Sequence, residues 1–215
     1  MFIKICGITT VGDAHLAATA GANAIGLNFF AESPRSISIE TALEIANCLP
    51  PFVDAVAVFV NATPARIRAT SVATGIRTVQ LHGDVTPELI GELAEFRVIA
   101  AFPLSDVASV TAIQQFVRAC QQHSREPSAI LIDSHVPGSF GGTGQPAPWP
   151  IARTVVETCR VPIALAGGLT PRNVSEAIRV VRPWGVDVAS GVEVAPGRKE
   201  AFKVRQFIRE ARGTS

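Results

Sequence analysis

The opening segment Met1-Phe2-Ile3-Lys4-Ile5-Cys6-Gly7-Ile8-Thr9 decides between the two architectures open to this chain. Residues 2–5 form an apolar run too short for a helix, so they read as a strand. An open Rossmann-type sheet would usually follow that strand with a G-x-G-x-x-G turn. The turn here is Cys6-Gly7-Ile8-Thr9. The first strand therefore points away from the open sheet.

Similar runs recur along the chain at 24–27, 55–60, 78–81, 98–101, 129–132, 162–166 and 185–189. Most are rich in Val, Ile or Ala, as strands buried on both faces should be. Helical segments lie between them. Thr63-Pro64, Thr86-Pro87 and Thr170-Pro171 each read as an N-cap followed by Pro at the first helical position, where its missing N–H costs nothing. Ser38 can cap a helix over Ile39–Cys48, and residues 199–212 carry Phe202, Val204, Phe207 and Ile208 at roughly helical spacing. Eight strands alternating with helices, with no linker and no break in composition, predict an α/β fold. It is a single (β/α)8 TIM barrel spanning 1–215 as one catalytic domain.

A net charge of +1 gives no electrostatic reason to expect nucleic acid or an acidic membrane as a partner. No apolar stretch approaches the length of a membrane span, and the first residues do not resemble a signal peptide, so a cytoplasmic location is expected. The cysteines at 6, 48, 120 and 159 are far apart, with no C-x-x-C pair, which suggests neither zinc nor a disulfide framework. Cys48, Cys120 and Cys159 read as small buried apolar residues. Cys6 does not, because of where it falls. His15, His123 and His135 read as exposed or structural. The sequence leaves the oligomeric state open.

Barrels of this class carry their chemistry at the C-terminal ends of the strands. Strand one ends at Cys6, strand two at Asn28 with Ser33-Pro34-Arg35 beyond it, strand three at Asn61, strand four at His82 and strand six at Asp133. The strand starts look almost entirely apolar. Period-two alternation puts Lys4 and Cys6 on one face with Ile3 and Ile5 on the other, and does the same for Gln80 and His82 against Val79 and Leu81. Cys6 and His82 should thus point into the barrel mouth, and Asp133 should emerge from a dry strand opposite Cys6. Lys4 and Asp187 also fall on inward positions of strands one and eight. An inward lysine needs a partner, so these two are expected to form a buried ion pair.

Gly167-Gly168 and Ser190-Gly191 follow strands seven and eight, the two loops where barrels commonly hold a phosphate. Glycines there let backbone N–H groups approach an anion, and a short helix N-terminus adds favourable dipole charge. Gly141-Gly142-Thr143-Gly144 is not a Walker loop, since no G-K-[ST] follows, and reads as a loop able to close over a substrate.

Several of these segments resemble one family, the phosphoribosylanthranilate isomerases. They are Lys4-Ile5-Cys6-Gly7-Ile8-Thr9, Ser33-Pro34-Arg35, Val58-Phe59-Val60-Asn61, Val79-Gln80-Leu81-His82-Gly83, Asp133-Ser134 and the glycine loop at 141–144. Leu165-Ala166-Gly167-Gly168-Leu169 and the stretch from Val186 to Glu193 complete the set, in family order and with family-like spacing. The chain departs from the family pattern at Gln145, where Lys is common, at Asn28, where apolar residues are common, and in a slightly expanded 134–140. The resemblance implies an Amadori rearrangement of N-(5-phosphoribosyl)anthranilate, a step of tryptophan biosynthesis. Asp133 would be the general acid, Cys6 the general base and Arg35 the partner of the anthranilate carboxylate. Gly167, Gly168, Ser190 and Gly191 would hold the phosphate, with neither metal nor organic cofactor. His82 would either contact the substrate or orient a loop.

These roles are chemically reachable. An ordinary Asp near pKa 3.9 is protonated about one time in a thousand at pH 7, and raising it to near 7 takes roughly 4 kcal/mol of differential solvation. A Cys near 8.5 needs only a modest depression. Among rivals, a related histidine-pathway isomerase or dual-substrate relative would carry Asp at the Cys6 position. A metal-dependent epimerase would want more strand-end ligands than His82 and Asp133. A barrel that only binds metabolites would have no need of Cys6, Arg35 and Asp133 together.

Overall fold

The computed structural model describes residues 1–123, 125–133 and 149–214. Its strands are β1 (Phe2–Cys6), β2 (Ala24–Asn28), β3 (Asp54–Val60), β4 (Thr78–His82), β5 (Arg97–Pro103), β6 (Ala129–Asp133), β7 (Ile163–Ala166) and β8 (Gly185–Val188). They are hydrogen-bonded in chain order and closed by parallel pairing of β1 with β8. The helices between them are α1 (Val11–Ala20), α2 (Ile39–Cys48), α3 (Pro64–Thr74), α4 (Pro87–Glu92), α5 (Val107–Gln122), α6 (Trp149–Thr158) and α7 (Val174–Val181), with α8 (Ala201–Gly213) last. The TIM barrel read from the strand–helix count is the fold observed. None of the described helices is long and apolar enough to cross a membrane.

Period-two alternation sorts the strands as expected. Ile3, Ile5, Leu27, Phe59, Val79, Leu81, Ile130 and Ile132 face the helices in one continuous buried core. Truncating one of them, as in Ile5→Ala, would cost about 2–5 kcal/mol. Inside the barrel a smaller apolar cluster of Ala101, Leu131 and Ala166 fills one side. The other side is polar, with buried Lys4, Gln80 and Asp187.

Three helix starts are capped as their sequences predict, with Ser38, Thr63 and Thr86 each accepting from the backbone N–H three residues on. Thr170-Pro171 is different: α7 begins three residues beyond Pro171, at Val174. The reason is Asn173, whose Oδ1 accepts from Thr170 N at 2.7 Å while its Nδ2 donates to Gly168 O at 3.0 Å. Those bonds hold 170–173 as a turn.

Two strands start one residue earlier than the apolar runs, and both added residues are charged. Asp54 and Arg97 pair at 2.8 Å, and Thr78 Oγ1 donates to Asp54 at 2.8 Å. The end of the barrel opposite the mouth is thus closed partly by polar groups, not by apolar residues alone. Cys48 is exposed at the end of α2, whereas Cys120 is buried and Cys159 half-buried. The last helix starts at Ala201, capped by Glu200, so Lys199 is not helical. It belongs to a short hairpin, β9 (Glu193–Ala195) with β10 (Arg198–Lys199). Val204, Phe207 and Ile208 of α8 are buried, but Phe202 is exposed.

Candidate active site

A cavity of about 430 Å³ opens at the C-terminal ends of the strands. Its wall includes Arg35, Asp133, Gly167, Gly168, Ser190 and Gly191, so six of the eight residues singled out in the sequence converge there. Asp133 is in register with Ala166 and has the parity of Leu131, both on the inner face. It stands three strands from Cys6 around the closed sheet. Cys6 and His82 lie outside this lining. Cys6 is half-buried beside it on β1, whose neighbour β8 supplies Asp187 to the wall.

Lys4 and Asp187 are direct partners in the β1–β8 register, and Lys4 Nζ donates to Asp187 Oδ1 at 2.9 Å. Burial disfavours the lysine's charge, yet Asp187 and Cys6 more than offset it, and its pKa is raised. For the Cys6 thiol, burial is the largest influence and pushes the pKa up, with Asp187 adding to it, while Lys4 and Lys199 pull it back. The surroundings therefore do not supply the modest depression that a base role for Cys6 calls for. A buried thiol loses more from dehydration of its thiolate than the two nearby cations return.

Arg35 is expected to meet a substrate carboxylate. Its guanidinium binds Glu193 through Nε–Oε1 at 2.9 Å and Nη2–Oε2 at 2.7 Å. Glu193 also accepts from Lys199 Nζ at 2.7 Å and Gly197 N at 3.3 Å. Burial works against the Glu193 charge, but Arg35 and Lys199 hold its carboxyl below the ordinary range. Lys199, its side chain fully buried, further donates to Cys6 O at 2.6 Å and Ala189 O at 3.2 Å. This hairpin ties the guanidinium of Arg35 to the ends of β1 and β8. The sequence reading assigned neither Glu193 nor Lys199 a role; Pro196-Gly197, a turn dipeptide, is the one local signal of the hairpin.

Gly167 and Gly168 have φ of 86° and 63°, a left-handed pair that glycine adopts without strain. Gly191 sits in the short 3-10 turn Ser190–Val192, where a Cβ would collide with the carbonyl oxygen of Leu169. The loops after β7 and β8 are thus in backbone contact, and the Asn173 side chain pins the first of them.

His82 lines a separate depression of about 310 Å³ with Asn61 and Asp84. Its Nε2 lies 2.7 Å from Gln80 Nε2. Burial, reinforced by the Lys4 charge, lowers its pKa from 6.5 to about 4, so the ring is neutral near pH 7. Asn28 turns inward on its own loop. Its Nδ2 donates to Ser33 Oγ at 3.1 Å, its Oδ1 accepts from Phe30 N at 2.8 Å, and Ser33 Oγ in turn accepts from Arg35 N at 3.1 Å. His15 is exposed, and His123 is exposed beside Glu88 at 3.3 Å. His135, the glycine loop at 141–144 and Gln145 lie outside the described residues.

Residues 3–210 match the family model described as N-(5'-phosphoribosyl)anthranilate (PRA) isomerase. An N-(5'-phosphoribosyl)anthranilate isomerase of Trichlorobacter lovleyi is 48% identical over 210 residues, covering 98% of this chain and 97% of that one. The phosphoribosyl anthranilate isomerase of Thermotoga maritima is 37% identical, with a TM-score of 0.90 over 99% of both chains. A further solved isomerase, 36% identical with a TM-score of 0.85 over 99% of both chains, is in complex with reduced 1-(o-carboxyphenylamino)-1-deoxyribulose 5-phosphate.

Proposed function

This chain belongs to the N-(5'-phosphoribosyl)anthranilate isomerase family, and we propose that Cys6 and Asp133 are the base and the acid with which it works. The reaction is the Amadori rearrangement of N-(5-phosphoribosyl)anthranilate to 1-(2-carboxyphenylamino)-1-deoxyribulose 5-phosphate, a step of tryptophan biosynthesis. Asp133, entering as the carboxylic acid, gives its proton to the furanose oxygen as the C1–O bond breaks. C1 is left double-bonded to a positively charged nitrogen. The Cys6 thiolate then takes the proton from C2. The C–H electron pair becomes the C1–C2 double bond, and the C1–N pair returns to nitrogen. The resulting enol becomes the 2-ketone as C1 gains a proton and the C2 hydroxyl loses one, so the sum is an isomerisation.

The observation that carries this reading is the convergence of Arg35, Asp133 and two glycine turns on one cavity, with Cys6 on the adjoining strand. Arg35 faces the anthranilate carboxylate, oriented by Glu193. The backbone N–H groups of Gly167, Gly168, Ser190 and Gly191 hold the phosphate, since closely spaced amides with no side chains between them suit an anion. His82, neutral and paired with Gln80, fits the loop-orienting role better than direct work on the substrate. On this reading the whole chain is one catalytic barrel domain. Its partner is a small phosphorylated molecule handled in the cytoplasm, with no nucleic acid involved. The test is turnover: purified protein should convert N-(5-phosphoribosyl)anthranilate to the deoxyribulose product, and absence of conversion by the wild-type chain would overturn it.

A further inference from the structure

Lys4, Cys6 and Gly26 meet inside the barrel. Cys6 pairs in register with Gly26 of β2, and Lys4 pairs with Asp187 of β8. A Cβ built on Gly26 would lie 2.6 Å from Cys6 Sγ and 3.1 Å from Lys4 Nζ. The sulfur and the ammonium therefore flank one small volume, which is kept clear because residue 26 has no side chain. Backbone conformation does not demand a glycine there, as Gly26 is not among the residues of positive φ. Space does.

We propose that Lys4, anchored by Asp187, is a positioning residue for the reaction: its ammonium, fixed beside the Cys6 sulfur, stabilises the thiolate. This rests on the reading of Cys6 as the base, and it explains a lysine inside a barrel. A buried ion pair is replaceable by apolar residues with little loss of stability, so stability alone does not account for it. A thiol that burial pushes toward its neutral form needs a cation held close.

The other charges around Cys6 do not substitute for it. Lys199 of β10 donates to the Cys6 carbonyl, not to the sulfur, and is committed to Glu193. Arg35, in the loop after β2, is bound to the same carboxylate. His82 on β4 is neutral near pH 7. Asp133 on β6 stands across the barrel, and Asp187 acts against the thiolate. Lys4 is the largest influence in the thiolate's favour.

The two members of the pair should therefore move the Cys6 pKa in opposite directions, which a merely structural role would not do. The experiment is the pH dependence of Cys6 alkylation by iodoacetamide, read on the Cys6 peptide by mass spectrometry so that Cys48, Cys120 and Cys159 do not contribute. Lys4→Met should raise the midpoint by about one unit or more, as loss of a nearby opposite charge does. Asp187→Asn should lower it. If either single variant fails to fold, Lys4→Met/Asp187→Asn, which leaves no lone charge, decides: its midpoint should lie above wild type. An unchanged midpoint in Lys4→Met, shifts of the same sign in both single variants, or a double variant at or below wild type would overturn the proposal. The acid limb of kcat/KM should follow the alkylation midpoints. If the midpoints move and the limb does not, the assignment of Cys6 as base fails while the effect of Lys4 on its thiol stands.

Discussion

Arg35 and Glu193 are joined by two parallel hydrogen bonds, Nε to Oε1 at 2.9 Å and Nη2 to Oε2 at 2.7 Å, across 158 positions of sequence. The carboxylate side is nearly inaccessible, with 4% of its side chain exposed against 22% for Arg35. A planar guanidinium held edge-on by a planar carboxylate has its direction fixed as well as its position. That arrangement aims the arginine into the cavity it lines.

Glu193→Gln keeps the shape but removes the charge that orients Arg35 and neutralises Lys199. The KM for N-(5-phosphoribosyl)anthranilate should rise about tenfold with a smaller change in kcat, the pattern of a lost binding contact. Breaking a buried pair costs about 3–5 kcal/mol, so Tm should also fall. The folded pKa of Glu193 lies below the ordinary 4.5. The stabilisation is therefore complete above that value and lost only as pH falls through the lower folded pKa. Steady-state kinetics and thermal melts of Glu193→Gln and Arg35→Ala check both parts.

Cys6→Ser leaves a far weaker base in a similar shape, and Asp133→Asn leaves a group with no acidic proton to give. Each should lower kcat by about 10²- to 10⁴-fold, while the melting temperature and affinity for inorganic phosphate are retained. Near-normal kcat in both variants would refute the mechanism.

Gly191→Ala places a methyl group against the Leu169 carbonyl, so the loops after β7 and β8 must separate. On the proposed reading the phosphate is held by both loops, so KM should rise several-fold or more. An unchanged KM would place the anion elsewhere.

His82 should make the fold acid-sensitive. Its folded pKa of about 4 lies below the ordinary 6.5, so the unfolded chain binds more protons between those values. Stability should decline as pH falls from 6.5 toward 4, by about 3 kcal/mol at most, and His82→Gln should flatten that part of the curve. Denaturant melts at a series of pH values measure it.

The barrel was legible because eight short apolar runs alternate with helical segments, and a period of two then sorts the faces of each strand. Ile3 and Ile5 against Lys4 and Cys6 is enough to assign the inner face, and Asp187 then falls opposite Lys4. Of the cavity wall, Asp133 could be named from its strand end and the residues at 167, 168, 190 and 191 from the loops that follow strands seven and eight, whereas Arg35 owed its role to the resemblance. What local patterns do not carry is a partner chosen by closure of the chain. Glu193 and Lys199 acquire their roles from Arg35 and Cys6, far away in sequence. Likewise, Thr170-Pro171 has the local form of a helix start. The Asn173 side chain, by reaching back to Thr170 and Gly168, delays the helix.

Lys4 meets Asp187 across 183 positions, and Lys199 reaches the Cys6 carbonyl across 193. On the ribosome, the thiol near the start of the chain waits for almost the entire polypeptide before its electrostatic surroundings exist. On the proposed reading, it gains the surroundings of a base only when the last strand docks. Contacts this distant in sequence also come late in folding, since loop closure must precede them. Catalytic competence should therefore emerge in one step at the end of folding, with no partly active intermediate before it.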